Sequence, residues 1–248
     1  MTEIATYILA ALVTLLSLTI HEFSHGYVAY LLGDPTAKNA GRLTLNPISH
    51  LDPFGALCMV FFHFGWAKPV PIDPRYFRKP KRDFAITALA GPLSNLILAC
   101  LSAFLYLLTL AIFGRYEAVL TNQFLFNLIS TVLTFFYLSL LINVGFALFN
   151  LLPIPPLDGS RVMTAVLPQR IYFRIMRYER IIYWVLIGWL LIGGWVSRFL
   201  LAIPFIANAP PLYVIARIIG LSGLLSDADA AIVDGILKLF RLIPFLNV

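Results

Sequence analysis

Charged residues are scarce in this chain. Only 12% of its 248 residues are Asp, Glu, Lys or Arg, whereas 60% are hydrophobic. A water-soluble domain cannot cover so much apolar surface with so few charges, so this composition predicts an integral membrane protein. The net charge of +6 is typical of basic cytoplasmic loops, and we expect no nucleic-acid partner.

Cysteine and long polar stretches are also rare. Cys58 and Cys100 both lie in apolar stretches, which predicts reduced thiols in the protein core. The first apolar run follows no basic segment and ends at no small-residue cleavage site. We therefore expect it to be a retained membrane span, not a cleaved signal peptide.

Apolar runs make up most of the chain, and three of them are long enough to cross a membrane. These runs predict helices at residues 4–32, 84–113 and 124–152. Between the first two, residues 41–46 alternate polar with apolar side chains, and residues 54–66 are apolar but short. This pattern predicts a small β or re-entrant element within residues 41–66, and the three long runs all lie in residues 1–160.

The remainder, residues 161–248, is predicted to be a C-terminal membrane region. Residues 181–206 are predicted to form another span, and residues 212–225 either a span or an interfacial segment. The mildly amphipathic tail, 232–248, is expected to lie at the membrane surface. The predicted fold class is therefore an all-α polytopic membrane protein.

The positions of the basic residues predict an orientation. Eight Lys or Arg lie between Gly33 and Asp83 and five between Pro153 and Arg180, but none precedes the first span. Basic loops favour the cytoplasmic side. If the second and third runs each cross once, both basic loops are cytoplasmic, and the N-terminus lies outside.

The first apolar run contains an H-E-x-x-H motif formed by His21, Glu22 and His25. Side chains four residues apart share one face of a helix, so both imidazoles can bind one metal ion while Glu22 acts on a bound water. Ionisable groups are costly in a membrane helix and mark a functional site. The motif predicts one zinc ion per chain. A catalytic zinc site has three protein ligands, so a third must come from elsewhere.

Asp158 is the acidic residue best placed to complete this site. It follows the proline-rich break at 153–156, where the third long run ends, and irregular backbone near membrane depth is tolerated where it lines a wet cavity. The residues alone leave two roles open. Asp158 is either a metal ligand or the N-cap of the next helix.

Several linked motifs together resemble the site-2 protease family of intramembrane zinc metalloproteases, peptidase family M50. The motifs are His21–Gly26 and Asn150–Gly159, the latter of the family's N-x-x-P-x-P-x-x-D-G type, with Gly41–Pro47, His50–Pro53, Gly65–Val70 and Ala90–Asn95. They look like the compact prokaryotic branch, because no polar stretch is long enough for a PDZ or CBS domain. That branch implies a multi-pass protein of a prokaryotic plasma membrane.

The resemblance also implies roles for individual residues. It makes His21, His25 and Asp158 the zinc ligands and Glu22 the catalytic residue. In the family, the asparagines matching Asn150, and less directly Asn95 and Asn46, are thought to position the substrate or stabilise the oxyanion. An exposed strand edge within residues 41–66 would hold an unwound substrate by β-augmentation.

The sequence therefore predicts an intramembrane zinc metalloendopeptidase that cleaves transmembrane proteins near the cytoplasmic face of the bilayer. Two other classes of function remain open. One is a zinc-binding scaffold without proteolytic activity. The other is an ion or proton transporter, which the lack of an internal repeat disfavours. The sequence does not indicate an oligomeric state.

Overall fold

The computed structural model describes residues 2–62, 66–114, 121–202 and 222–246, and these residues are largely helical. The α-helices of the described residues are α1 Glu3–Leu31, α2 Thr36–Asn39, α3 Pro47–His50, α4 Pro53–Phe62, α5 Pro80–Phe113, α6 Gln123–Leu151, α7 Asp158–Val166, α8 Gln169–Met176, α9 Glu179–Leu201 and α10 Ser222–Arg241.

Three helices of the described residues, α1, α5 and α6, are long and apolar enough to cross a membrane. They confirm the three predicted core spans. Helix α5 begins at Pro80, before the apolar run itself, because proline suits the first turn of a helix and the Asp83 carboxylate accepts the Lys79 N–H at 2.9 Å. The polar start of α5 thus extends a membrane helix into the basic loop.

Small side chains allow α5 and α6 to pack closely. Ala99 and Ala103 of α5 are fully buried against Leu140 and Val144 of α6, and Val233 of α10 closes the same cluster. Helix α1 packs across both α5 and α6. The outer faces of these helices carry many exposed apolar side chains, which a bilayer would cover.

The two cysteines are free, but they do not both lie in the core as predicted. Cys58 is half-buried, whereas Cys100 is exposed. Cys100 follows Ala99, which faces α6, and the adjacent position on a helix points about 100° away from that contact. Cys100 therefore lies on the outer face of α5, although the apolar residues Ala99 and Ala103 on either side of it are buried.

The C-terminal region forms helices, but its predicted crossings are not among the three spans found in the described residues. Helix α9 covers most of the predicted span at 181–206, and α10 packs against α5 and α6. Residues 203–221, which hold most of the 212–225 segment, lie outside the described residues. The predicted tail begins within α10.

Residues 41–46 do not form the predicted strand. The described residues contain only an isolated antiparallel bridge between Leu51 and Ala67. Gly41 has φ of +66°, which turns the chain after α2, and the Asn46 side chain accepts the Ile48 N–H to begin α3. Local turns and caps therefore use the backbone groups that a strand would pair.

The second half of the predicted element is helical, because residues 53–62 form α4 and 63–65 lie outside the described residues. The backbone that follows α4 is held by hydrogen bonds to residues between α1 and α4. The Lys68 N–H donates to the His50 carbonyl at 2.8 Å, and Arg42 donates to the Lys68 carbonyl at 2.7 Å. Further on, the Asp73 N–H donates to the buried Asp34 carboxylate at 2.7 Å.

Candidate metal centre

The two histidines of the motif lie on one face of α1, towards its C-terminal end. Both side chains are buried, and their Nε2 atoms are 3.0 Å apart. Glu22 lies between them in sequence but on a different face of the helix, because adjacent residues are rotated by about 100°. The histidines therefore face the protein interior, whereas Glu22 lines a cavity.

Asp158 reaches the two histidines as the first residue of α7, just after the end of α6. Its Oδ2 atom lies 3.1 Å from His21 Nε2 and 3.2 Å from His25 Nε2. A side chain on Gly159 would overlap the carbonyl oxygens of Leu151 and Leu152. Glycine thus lets α7 begin against the end of α6, which carries Asp158 to the site.

The three atoms fit a zinc ion both by distance and by chemistry. They lie 3.0–3.2 Å from one another. Bonds of about 2.0–2.1 Å in a tetrahedral site place ligand atoms roughly 3.3 Å apart. No other group of three such side chains converges in the parts of the chain that the structure describes.

Hydrogen bonds at the far side of each ring direct the Nε2 lone pairs towards this point. His25 Nδ1 lies 2.8 Å from the Thr87 carbonyl oxygen, which only accepts, so Nδ1 carries the proton. His21 Nδ1 lies 2.6 Å from Asn95 Oδ1 and is protonated in the same way. Two lone pairs and a carboxylate oxygen then face one another, which is unfavourable unless a metal ion or a proton lies between them.

Gly91 of α5 forms the wall behind both imidazoles. An added Cβ at this position would overlap the rings of His21 and His25. Because α5 can approach α1 so closely, the two rings pack edge to face with their centroids 4.6 Å apart. Glycine at residue 91 therefore leaves just enough space for the two potential ligands.

Glu22 is held by the loop between α4 and α5. Its Oε2 atom accepts the Val70 N–H at 2.8 Å, which leaves Oε1 for other partners. A Cβ on Gly26 would lie 3.1 Å from the Val70 side chain, so this glycine permits the loop to pack closely on α1. The backbone of the loop thus fixes the direction of the carboxylate.

The site opens into a cavity of about 660 Å³ between α1, α6 and α9. Most of its lining is apolar, from side chains such as Leu18 and Ile142. The side chains in this lining that carry polar groups are His21 and Glu22 of the site together with Thr14, Trp66, Asn150, Tyr183 and Asp229. An apolar chain in this cavity would therefore contact a mostly apolar wall that includes the metal centre.

The three asparagines singled out in the sequence occupy different environments. Asn150 lines the cavity and donates to the Phe146 carbonyl at 3.0 Å. Asn95 is fully buried behind His21. Asn46 is exposed and caps α3. Only Asn150 shares the cavity with Glu22.

Sequence reasoning missed Gly91, the Val70 amide and Asn143. Asn143 lies in the middle of α6 and accepts from Asn95 Nδ2 at 2.8 Å. A polar residue in a membrane helix was the only available signal for it. Gly91 and Val70 have no such signal, since their roles depend on how α1, α5 and the loop pack.

Three membrane helices and a buried His–His–Asp group define a polytopic membrane protein with a metal-binding type of site. The profile of Peptidase family M50 matches residues 9–193, and the chain belongs to this family. The resemblance seen in the sequence motifs is therefore confirmed.

Named relatives are similar over 58–66% of the chain. "Putative zinc metalloprotease YwhC" of Bacillus subtilis is 43% identical over 166 residues, which cover 66% of this chain and 72% of the relative. "Putative zinc metalloprotease Rip2" of Mycolicibacterium smegmatis is 33% identical over 162 residues, and that of Mycobacterium tuberculosis is 34% identical over 151. The matches span 56% and 52% of these two relatives. No solved structure matches the chain.

Proposed function

We propose that this protein is an intramembrane zinc metalloendopeptidase that hydrolyses peptide bonds of transmembrane substrates. In this proposal His21, His25 and Asp158 hold one zinc ion per chain, and Glu22 is the general base. The observation that carries it is the approach of the three ligand atoms to within 3.2 Å, beside a carboxylate that opens into an apolar cavity.

A zinc ion held there would supply Lewis acidity and lower the pKa of a water molecule to roughly 7. The chain itself supplies the proton transfers. Glu22 takes the proton of the attacking water and later delivers it to the leaving amine. Because the Val70 N–H fixes one carboxylate oxygen, the other keeps a defined direction while the proton moves.

The cavity supports the proposed substrate class. A transmembrane helix hides its peptide bonds in hydrogen bonds, so a segment must unwind before attack. Asn150 lines the same cavity as Glu22, and its NH₂ group keeps a second hydrogen for the oxyanion while the first is donated to the Phe146 carbonyl. We therefore assign the oxyanion role to Asn150, rather than to Asn95 or Asn46.

The loop beside Glu22 offers little support for binding substrate by β-augmentation. The amides of Lys68 and Val70 are already bonded to His50 and Glu22, and Pro69 and Pro71 have no N–H. A substrate strand needs free donors and acceptors on its partner. We instead assign this loop the role of positioning Glu22.

We place the protein in a prokaryotic plasma membrane, with its N-terminus outside and the metal centre towards the cytoplasm. The charge pattern supports this orientation. Residues 1–160 form the proposed catalytic core. Residues 161–248 form the proposed C-terminal membrane region, in which α9 contributes Tyr183 and Leu186 to the cavity wall.

Replacement of Glu22 by Gln tests the catalytic assignment. The Gln amide oxygen still accepts the Val70 N–H, so the fold and zinc content should persist, while cleavage should fall by about 10²–10⁴-fold. Mass spectrometry of new N-termini in membrane proteins would compare cells that express each form. Glu3→Gln, the same change at the exposed start of α1, is the matched control.

The outcome separates the proposal from its rivals. Fragments present with wild-type protein and Glu3→Gln but lost with Glu22→Gln support the protease. Zinc binding with no cleaved membrane protein in any strain would contradict it and favour a scaffold. Metal or proton flux through liposomes that contain the protein, without hydrolysis, would favour a transporter.

A further inference from the structure

The metal centre continues into a chain of hydrogen bonds that crosses the core. From His21 the chain passes to Asn95 of α5 and then to Asn143 of α6. Asn143 Nδ2 donates to Ser17 Oγ of α1 at 2.9 Å and to the Ser139 carbonyl at 2.8 Å. Asn95 and Asn143 are 0% and 1% exposed, so bulk water cannot replace these bonds.

The side-chain amides of Asn95 and Asn143 each have a donor end, the NH₂ group, and an acceptor end, the oxygen. The orientation of each amide therefore decides which neighbour receives a hydrogen bond. If Asn95 were turned around, its NH₂ group would face His21 and favour the ring form that carries its proton on Nε2. That proton would occupy the position that a metal ion needs. The direction of Asn95 therefore decides whether His21 can be a ligand.

The orientation of both amides is fixed by the Ser139 carbonyl, at the end of the hydrogen-bond series opposite His21. The Ser139 carbonyl only accepts, so Asn143 must present Nδ2 to it and Oδ1 to Asn95. Asn95 must then present Nδ2 to Asn143 and Oδ1 to His21. His25 reaches the same ring form directly, through the Thr87 carbonyl.

We propose that Asn143 is a positioning residue that acts through Asn95 to hold His21 with its Nε2 lone pair towards the metal. This inference rests on the zinc site of the proposed function and deepens it. Asn143 itself is neither a residue of the cavity lining nor one of the three potential ligands. Its effect is to transmit the polarity of a backbone carbonyl in α6 to a ligand in α1.

The proposal makes a specific prediction for two substitutions. Asn143→Leu removes the anchor and should weaken zinc binding by about tenfold, within the range seen for residues behind metal ligands. Asn95→Asp replaces the amide by a carboxylate, which presents an accepting oxygen to His21 in either orientation. The proton of His21 is then held on Nδ1 without any contribution from Asn143. Zinc affinity of the Asn95→Asp/Asn143→Leu double variant should therefore return to within about threefold of Asn95→Asp alone.

The experiment uses the full chain in detergent, with zinc affinity measured by competition against a chelating dye. Cobalt substituted for zinc reports ligand geometry through its visible spectrum. Ser102→Ala is the control, because Ser102 bonds Ser139 Oγ at 2.7 Å but lies outside the line of amides. It should leave zinc affinity unchanged. These measurements report zinc binding and do not depend on cleavage. A failure of the protease assignment can therefore be distinguished from a failure of this inference.

Two results would overturn the inference. One is wild-type zinc affinity in Asn143→Leu. The other is a double variant as weak as Asn143→Leu, which would indicate that residue 143 acts only through packing. If Asn143→Leu does not fold, ¹⁵N-histidine NMR of the metal-free wild type at pH 8 still decides, since a His21 ring protonated on Nε2 contradicts the proposal.

Discussion

Asp158 occupies a position where a carboxylate can serve either a helix or a metal ion. It is the first residue of α7, and the preceding residue, Leu157, makes no side-chain cap. Its Oδ2 atom instead lies 3.1 Å and 3.2 Å from the two imidazoles. The geometry therefore favours the ligand role over the capping role that the sequence left open.

Replacement of Asp158 by Asn distinguishes these two roles. Asn caps helices about as well as Asp but is a much weaker metal ligand. We expect Asp158→Asn to lower zinc affinity by about 100-fold or more, since it removes a direct ligand and not merely a supporting contact. Dye competition measures the affinity. Unchanged zinc binding would return Asp158 to the capping role.

At the level of single residues, the sequence predicts groups whose chemistry is unusual for their surroundings. His21, Glu22 and His25 are conspicuous because they are costly in an apolar helix. Asn143 is less conspicuous, since an asparagine in a membrane helix often bonds to a neighbouring helix. Its place behind His21 depends on how α1, α5 and α6 pack, which no local pattern records.

Close approach between helices α1 and α5 places Gly91 directly against the two imidazoles of α1. Gly91→Ala should force these helices or rings apart and weaken zinc binding about tenfold or more, since overfilling a packed site costs about 1–3 kcal/mol. Gly188→Ala, where no atom lies within 4 Å of an added Cβ, is the matched control. Zinc content of both purified variants would be compared. Full zinc occupancy in Gly91→Ala would contradict the proposed close fit.

The short helix α3 offers a test of Asn46. If the Asn46 side chain only caps α3, Asn46→Asp should preserve both thermal stability and cleavage, whereas Asn46→Ala should cost about 1 kcal/mol. Thermal unfolding and fragment yield measure the two effects. A loss of cleavage in Asn46→Asp at unchanged stability would instead favour the substrate-positioning role that the family resemblance implies.

At the level of elements, hydropathy predicted the long helices but not the region between α1 and α5. Long apolar runs have one dominant solution in a membrane, because helices satisfy their own backbone groups. The alternation of polar and apolar residues at 41–46 covers only six residues, so it does not distinguish a strand from a series of turns and helix caps. The positive φ of Gly41 and the helix cap at Asn46 prevent this segment from forming a strand. Composition alone does not indicate either feature.

At the scale of the whole molecule, two core spans, α5 and α6, separate the two basic loops, so we expect both loops on the same side of the membrane. Cysteine labelling tests this arrangement in a Cys58→Ala/Cys100→Ala background. Single cysteines at exposed Lys81 and Arg170 should react with a membrane-impermeant maleimide only after cells are opened, and one at exposed Gln123 should react in intact cells. Labelling of residues 81 and 170 from opposite sides would contradict the three-span core.

The whole-molecule arrangement was predictable only in part. Counting spans and basic residues brought the histidines and Asp158 to one side of the membrane, and the structure places them within 3.2 Å. The packing of α9 and α10 beside the core had no comparable signal, because no motif in residues 181–248 indicates which helices they contact. Tyr183 and Asp229 in the cavity wall were accordingly not predicted.

The ligands of this site are far apart along the chain, with His25 and Asp158 separated by 133 positions. A ribosome that adds about 5–20 residues per second needs roughly 7–27 s to cover that distance. Throughout this interval α1 can already sit in the bilayer among other nascent membrane proteins, yet the proposed zinc site lacks its carboxylate. The order of synthesis therefore delays assembly of the centre until the third core helix has been made.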